Sequence, residues 1–419
     1  MSLPVRHLPV VQNWDCQGCG QCCREYQVGI TEEERQRIID QGWENEPALG
    51  GLPLFVRGGP WYSRQWQLNH KSDGSCVFLN EKGLCRIHDR FGAETKPLAC
   101  RLYPFILVKA GDHLRVGVRF GCPSAAASKG RPISEHHKEL LQYAAGLDRR
   151  GDLDPRKNKV PRLQVGQTAD WSDVHRFVQA MQAILGNREE RFERRMRKCL
   201  ALAAICRQAR FDKVTGGRLV EFLNLLGAGL EGEVPPHPLL VPPPSWVGRI
   251  LFRQVAALYC RKDHGVDRSL ISRSRLALLR AAVRFVRGRG PVPRLHARIP
   301  QTTFERAEIP AGPLSPEEEA VLERYYLIKV GSCQFFGPTQ FGVPLWEGVE
   351  SLGITLAVIL WLARLFRDMP RPEGIILAVS IVDNNFGFNK LLGTLRQRLS
   401  HRILAQRGEL ERLIAWYSR

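Results

Sequence analysis

Cys16-Gln17-Gly18-Cys19-Gly20-Gln21-Cys22-Cys23 puts four cysteines into eight positions. Four more follow singly as Cys76, Cys85, Cys100 and Cys122, so eight of the twelve cysteines lie within the first 122 residues. Thiolates at this spacing suit a soft metal or an iron–sulfur cluster, because a short glycine-bearing loop can turn several sulfurs toward one centre. Its backbone N–H groups can also face the negative sulfurs. Gly18 and Gly20 relax the φ restriction that such a tight loop imposes. Adjacent Cys22 and Cys23 cannot easily serve one small site in the same way, which leaves two neighbouring centres or one ligand beside a supporting thiol. Disulfides are the competing use. The first ten residues hold no apolar stretch and no cleavage site, so a cytoplasmic location is expected, where clustered cysteines serve as metal ligands or redox groups.

Around this run the chain has 419 residues, enough for two or three domains, and 44% of them are hydrophobic. A sizeable core can form without a metal, so the cysteine centre organises one region rather than the whole fold. The expected fold class is α+β: a small, irregular, cysteine-rich domain over residues 1–130, then a mainly α-helical region over 131–419. The formal charge is +19, of which residues 1–130 carry only +3 (16 Lys and Arg against 13 Asp and Glu). The basic surface therefore belongs to the second part and would attract acidic protein, nucleic acid or anionic membrane. It is equally what arginine-rich solvated helix faces look like. The most apolar run, Leu352 to Ala363, lies between Glu350 and Arg364 and is too short to span a bilayer, so a buried core helix is expected and no transmembrane segment.

In the first part, Thr31-Glu-Glu-Glu34 has the capping-box pattern and predicts a helix to about Gln41, with Ile38 and Ile39 inward. Trp61 to Leu68 alternates imperfectly, as a strand would. Cys76–Leu79 and Leu84–His88 flank the turn Asn80–Gly83 and read as a hairpin with one cysteine on each arm. Arg101–Val108 and Leu114–Phe120 read as two more strands. From about Ser134 the apolar spacing turns helical, near 134–146, 171–186, 188–210, 217–227, 246–262, 267–287, 316–330, 346–368 and 388–417. Ser315-Pro316-Glu-Glu-Glu319 is a strong helix start. Residues 150–168 are polar and read as a linker.

Lys96-Pro97-Leu98-Ala99-Cys100-Arg101-Leu102-Tyr103-Pro104-Phe105 is the second informative stretch. Its prolines stiffen the presentation of Cys100. Arg101 is a candidate to offset thiolate charge or hold a bound anion, and Tyr103 to donate a supporting hydrogen bond. Taken with Cys16, Cys19, Cys22, Cys23, the helix opening at Thr31, Cys76, Cys85 and the following Cys122, this stretch resembles the CxxCxxCC (YkgJ-type) cysteine-cluster family of zinc- or iron-chelating domains. The likeness covers about a third of the chain. It departs at Lys96-Pro97, where the family often has Arg-Pro, and at His88-Asp89, where an aromatic is common. The domain also opens proteins resembling flagellin lysine N-methylase, and Arg324 to Val330 is a looser match to their helical region.

The resemblance implies metal held by all eight N-terminal cysteines. The expected cofactor is one or two 4Fe-4S iron–sulfur clusters, with zinc as the alternative, and S-adenosylmethionine if the chain acts as a methyltransferase on an acidic or lysine-bearing protein. Nucleic acid stays open as a partner. A third reading is a zinc-stabilised interaction module. No catalytic acid or base is nominated. His70, His88 and His113 lie among the cysteines as minor candidates, and Cys199, Cys206, Cys260 and Cys333 read as core residues. Gly227-Ala-Gly-Leu-Glu-Gly232 fits a dinucleotide fingerprint in letters only, and reads as a glycine helix stop.

Overall fold

The computed structural model describes residues 3–6, 12–43, 46–59, 64–153, 160–263, 265–271 and 274–419. The architecture is α+β, with small sheets near the N-terminus and helices after them. Helix α1 (Gln21–Glu25) follows the cysteine run, and α2 (Glu32–Ile39) starts at Thr31, whose side chain accepts from the Glu34 N–H while Glu34 returns the bond. Strand β1 (Val5–Arg6) lies parallel to β6 (His113–Val118), which pairs antiparallel with β5 (Phe105–Ala110). A second sheet has the order β2 (Gly29–Ile30), β4 (Gln65–Leu68), β3 (Phe55–Gly58), all antiparallel. Residues 61–63 of the strand expected over Trp61–Leu68 lie outside the described residues.

Two apolar cores form among the described residues. The small one gathers Ile30, Ile38, Trp43, Leu68, Val77, Phe78 and Ile87 beneath the second sheet. The large one holds the helices together and also takes in β5, β6 and Phe120–Ala126. Cysteine-bearing and helical parts therefore share packing across residue 130. Helix α14 (Leu345–Leu365) runs through the large core; it is long and apolar enough to cross a membrane, but 94% of its apolar window is buried by protein.

Several expectations need correction. The second arm of the Cys76–His88 hairpin is a helix: Leu79 and Cys85 form one isolated antiparallel bridge, and α3 (Arg86–Phe91) starts directly after. The Asn80 N–H donates to the Leu84 carbonyl and the Arg86 N–H to the Phe78 carbonyl, and the chain then turns into α3, so the pairing ends after these rungs. Arg101 lies in α4 (Leu98–Leu102), not in a strand. The glycine run does not stop a helix: α9 (Gly216–Glu233) runs through it, with open space beside each glycine. The expected 388–417 helix is two, α16 (Leu395–Gln406) and α17 (Glu409–Tyr417), parted at Gly408 with φ +66°. Helix α15 (Arg371–Asn385) was not foreseen. Its residues are buried on most sides, so apolar and polar positions do not alternate with a 3.6 period. Within the expected linker, Arg162–Gln164 pairs with Gln167–Thr168, and residues 154–159 lie outside the described set.

Candidate metal centre

Gly18 and Gly20 both adopt positive φ, +63° and +65°, and Gly20 caps α1 in the left-handed region. A Cβ on Gly20 would come within 3.0 Å of the Gly83 carbonyl oxygen, so the cysteine loop sits directly on the Asn80–Gly83 turn. Helix α1 then carries Cys22 and Cys23, whose sulfurs lie 4.0 Å apart. Two ligands of one tetrahedral metal with bonds of about 2.3 Å stand about 3.8 Å apart. The neighbouring thiols thus already have the separation of co-ligands, which sequence adjacency alone had argued against. The Cys76 N–H donates to the Cys23 carbonyl at 2.7 Å and ties the next cysteine to this helix. Cys85 caps α3, and Cys100 sits in the middle of α4.

Cys22, Cys23, Cys76, Cys85 and Cys100 line one pocket of about 180 Å³. Tyr26, Gln27, His70, Lys96 and Tyr103 complete its polar lining. A single water needs only about 10–15 Å³ of such space. Among the described residues, no three His, Cys, Asp or Glu side chains stand close enough to enclose an ion as they are. The five sulfurs form a rim around a space rather than a collapsed cage.

The charge balance of this rim is unfavourable without a cation. Sharing a hydrogen bond with Cys23, then burial, push the Cys22 thiol far above its ordinary value, and Lys96 pulls the other way. Burial, reinforced by Cys85 and Cys22, raises Cys76 to about 12. Burial raises Cys100 as well, helped by Cys76, Cys85 and Cys22. Thiolates there would repel one another in a desolvated space, and a bound metal cation reverses that sign. The donor set therefore fits zinc or iron.

The remaining candidates are placed differently. Cys16 and Cys19 are exposed on the loop before α1. Cys122 is buried at the start of helix α5 (Pro123–Ala126), facing the N–H groups of Ala125 and Ser124 and the Trp14 indole, with Cys19 as its cysteine neighbour. Tyr26 and Tyr103, whose rings stand 5.2 Å apart, line the pocket and also feel the charge of Cys122. Arg101 is not on the pocket wall; its buried Nε has no hydrogen-bond partner, and its charge acts on Tyr143. The cation at the pocket is Lys96. Sequence reasoning noted it only as a departure, although Lys-Pro one helical turn before Cys100 was the available signal. Of the three histidines, His70 lines the pocket, His88 is exposed, and His113 is buried against Asp112 at 2.7 Å. Cys199, Cys206, Cys260 and Cys333 are buried in the large core.

Seven of the eight N-terminal cysteines fall inside one stretch that can be compared with known proteins. Residues 15–117 match the CxxCxxCC family model. Its description is "Putative zinc- or iron-chelating domain". The matched stretch thus frames the five-cysteine pocket, while Cys122 and the helical region lie beyond it. An uncharacterized protein of Methanocaldococcus jannaschii is 30% identical over 94 residues, which is 22% of this chain and 29% of that protein's length. No solved structure matches the chain.

Proposed function

We propose that this protein holds an iron–sulfur cluster in the pocket formed by Cys22, Cys23, Cys76, Cys85 and Cys100. The observation that carries the reading is the convergence of five thiols from four separate segments on one space. Structural zinc is satisfied by four ligands in a closed tetrahedron. Five thiols on an open rim with room to spare favour a larger centre fed from several loops. When bound, such a centre supplies either electron transfer or a site for an anionic ligand. Lys96 offsets its negative charge, and Tyr26 and Tyr103 shield it. Cys16, Cys19 and Cys122 are left for a second centre. Thiols kept free to serve as cluster ligands suit a reducing compartment such as the cytoplasm. The basic helical region is the part that would meet an acidic or lysine-bearing protein.

Anaerobic purification followed by a visible spectrum and iron, sulfide and zinc analysis tests the reading. A brown protein with iron and acid-labile sulfide is expected. A colourless protein with stoichiometric zinc would refute the cluster and favour a zinc-stabilised interaction module.

A further inference from the structure

The segment from Arg268 to Phe304 holds nine arginines and no Asp or Glu. Its centre is helix α11 (Arg275–Arg287), capped by the Ser274 hydroxyl, with only Ala281 and Phe285 buried. The opposite side carries Leu276, Leu279 and Val283, which are 56%, 62% and 41% exposed. At 100° per residue these three fall on one stripe, with Arg280 and Arg287 along one edge and Arg275 along the other. Among the described residues, no carboxylate lies within ion-pair distance of Arg275, Arg280, Arg284 or Arg287. Leu270, in the loop before the helix, is also 59% exposed.

Beside the stripe, on the other side of Arg280, is a cavity of about 590 Å³ lined by Arg280, Arg284, Arg294, Thr302 and several apolar side chains. Arg294 is occupied with the carbonyls of Ile299 and Ala297. Arg280 and Arg284 are not. The Thr302 side chain is buried and its hydroxyl has no hydrogen-bond partner. A buried hydroxyl without a partner costs free energy unless a ligand meets it. Two free guanidinium forks beside it fit the oxygens of a phosphate.

We propose that α11 docks on an anionic phospholipid bilayer, with its leucine stripe in the acyl boundary and a lipid phosphate in the Arg280–Arg284–Thr302 cavity. Charge selects the partner: a helix carrying four arginines with no ion-pair partner among the described residues, Arg275, Arg280, Arg284 and Arg287, is attracted to anionic headgroups. The stripe selects bilayer over nucleic acid, because leucines along the crest of a basic helix gain nothing from a phosphate backbone and gain area in a lipid interface. This surface is separate from the cysteine pocket and does not depend on its metal.

Co-sedimentation of the full chain with vesicles of phosphatidylcholine, alone or with about a quarter phosphatidylglycerol, tests the proposal. Binding is expected to the anionic vesicles only, and to weaken with added salt. L276S/L279S and R280Q/R284Q should each lower partitioning by about tenfold or more, with wild-type circular dichroism, since all four side chains are exposed. Equal binding to both vesicle types, or no binding by the wild type, would overturn it. So would unchanged binding by L276S/L279S. Preferential binding to polyuridylate RNA or to polyglutamate would likewise overturn it, in favour of nucleic acid or an acidic protein.

Discussion

The Tyr26 hydroxyl donates to Asn384 Oδ1 at 2.6 Å, joining the cysteine pocket to α15 across 358 positions of sequence. Arg119 reaches the same hydroxyl at 3.4 Å and Asp383 at 3.8 Å, and Asp383 accepts the Gly121 N–H at 3.1 Å. A residue three positions after Cys23 is thus held by the helical region. The cysteine pocket and the helices are one mechanical unit at this point.

Tyr26→Phe removes that bond and leaves the Asn384 oxygen unmet in a half-buried place. Thermal or denaturant unfolding should show a loss of about 1–2 kcal/mol. An unchanged midpoint would mean that the bond carries no net stability.

Behind Asp383 stands Lys329, with Nζ 2.5 Å from Asp383 Oδ1 and both side chains essentially inaccessible. Lys329→Met should cost about 3–5 kcal/mol, because it leaves a buried carboxylate without its nearer cation and with only Arg119 at 3.8 Å. Adding Asp383→Leu should recover part of that loss. A double variant no more stable than Lys329→Met alone contradicts this.

Much of the fold was legible where a local rule acts alone. The capping boxes at Thr31 and Ser315 start helices as expected, and α7 (Trp171–Gly186) keeps a one-sided apolar face. Legibility failed where burial is set by tertiary contacts. Helix α15 is buried on most sides and loses its period, and α9 runs through Gly227, Gly229 and Gly232 because nothing packs on them. At the site, the cysteines announced themselves by chemistry. That Lys96 rather than Arg101 faces them is only hinted at by the Lys-Pro step before Cys100, because it depends on which side of α4 the sulfurs occupy.

Glu350 on α14 gives a pH signature. Burial pushes its carboxyl up to about 7, against the downward pull of Arg207 at 2.6 Å. A carboxyl raised on folding adds stability that is fully present below about pH 4.5 and is lost as pH rises through about 7. The wild type should therefore lose stability across that window, up to about 3 kcal/mol. Glu350→Gln should flatten the decline. Parallel pH profiles for both proteins would show that Glu350 does not titrate there.

Gly20→Ala places a methyl group against the Gly83 carbonyl at a left-handed position. A cost of about 1–2 kcal/mol is expected, together with less metal per chain after anaerobic purification. Full metal content would show that the loop tolerates another path to the pocket.

The convergence of the pocket cysteines on one metal centre is tested most directly by comparing two cysteine replacements. Cys100 lines the pocket, whereas Cys206 is packed in the large core. Iron and zinc per chain should be measured in anaerobically purified Cys100→Ser, Cys206→Ser and wild-type protein. Loss of metal and visible absorbance from Cys100→Ser, with Cys206→Ser equal to wild type, is the predicted result. Undiminished metal in Cys100→Ser would contradict the account.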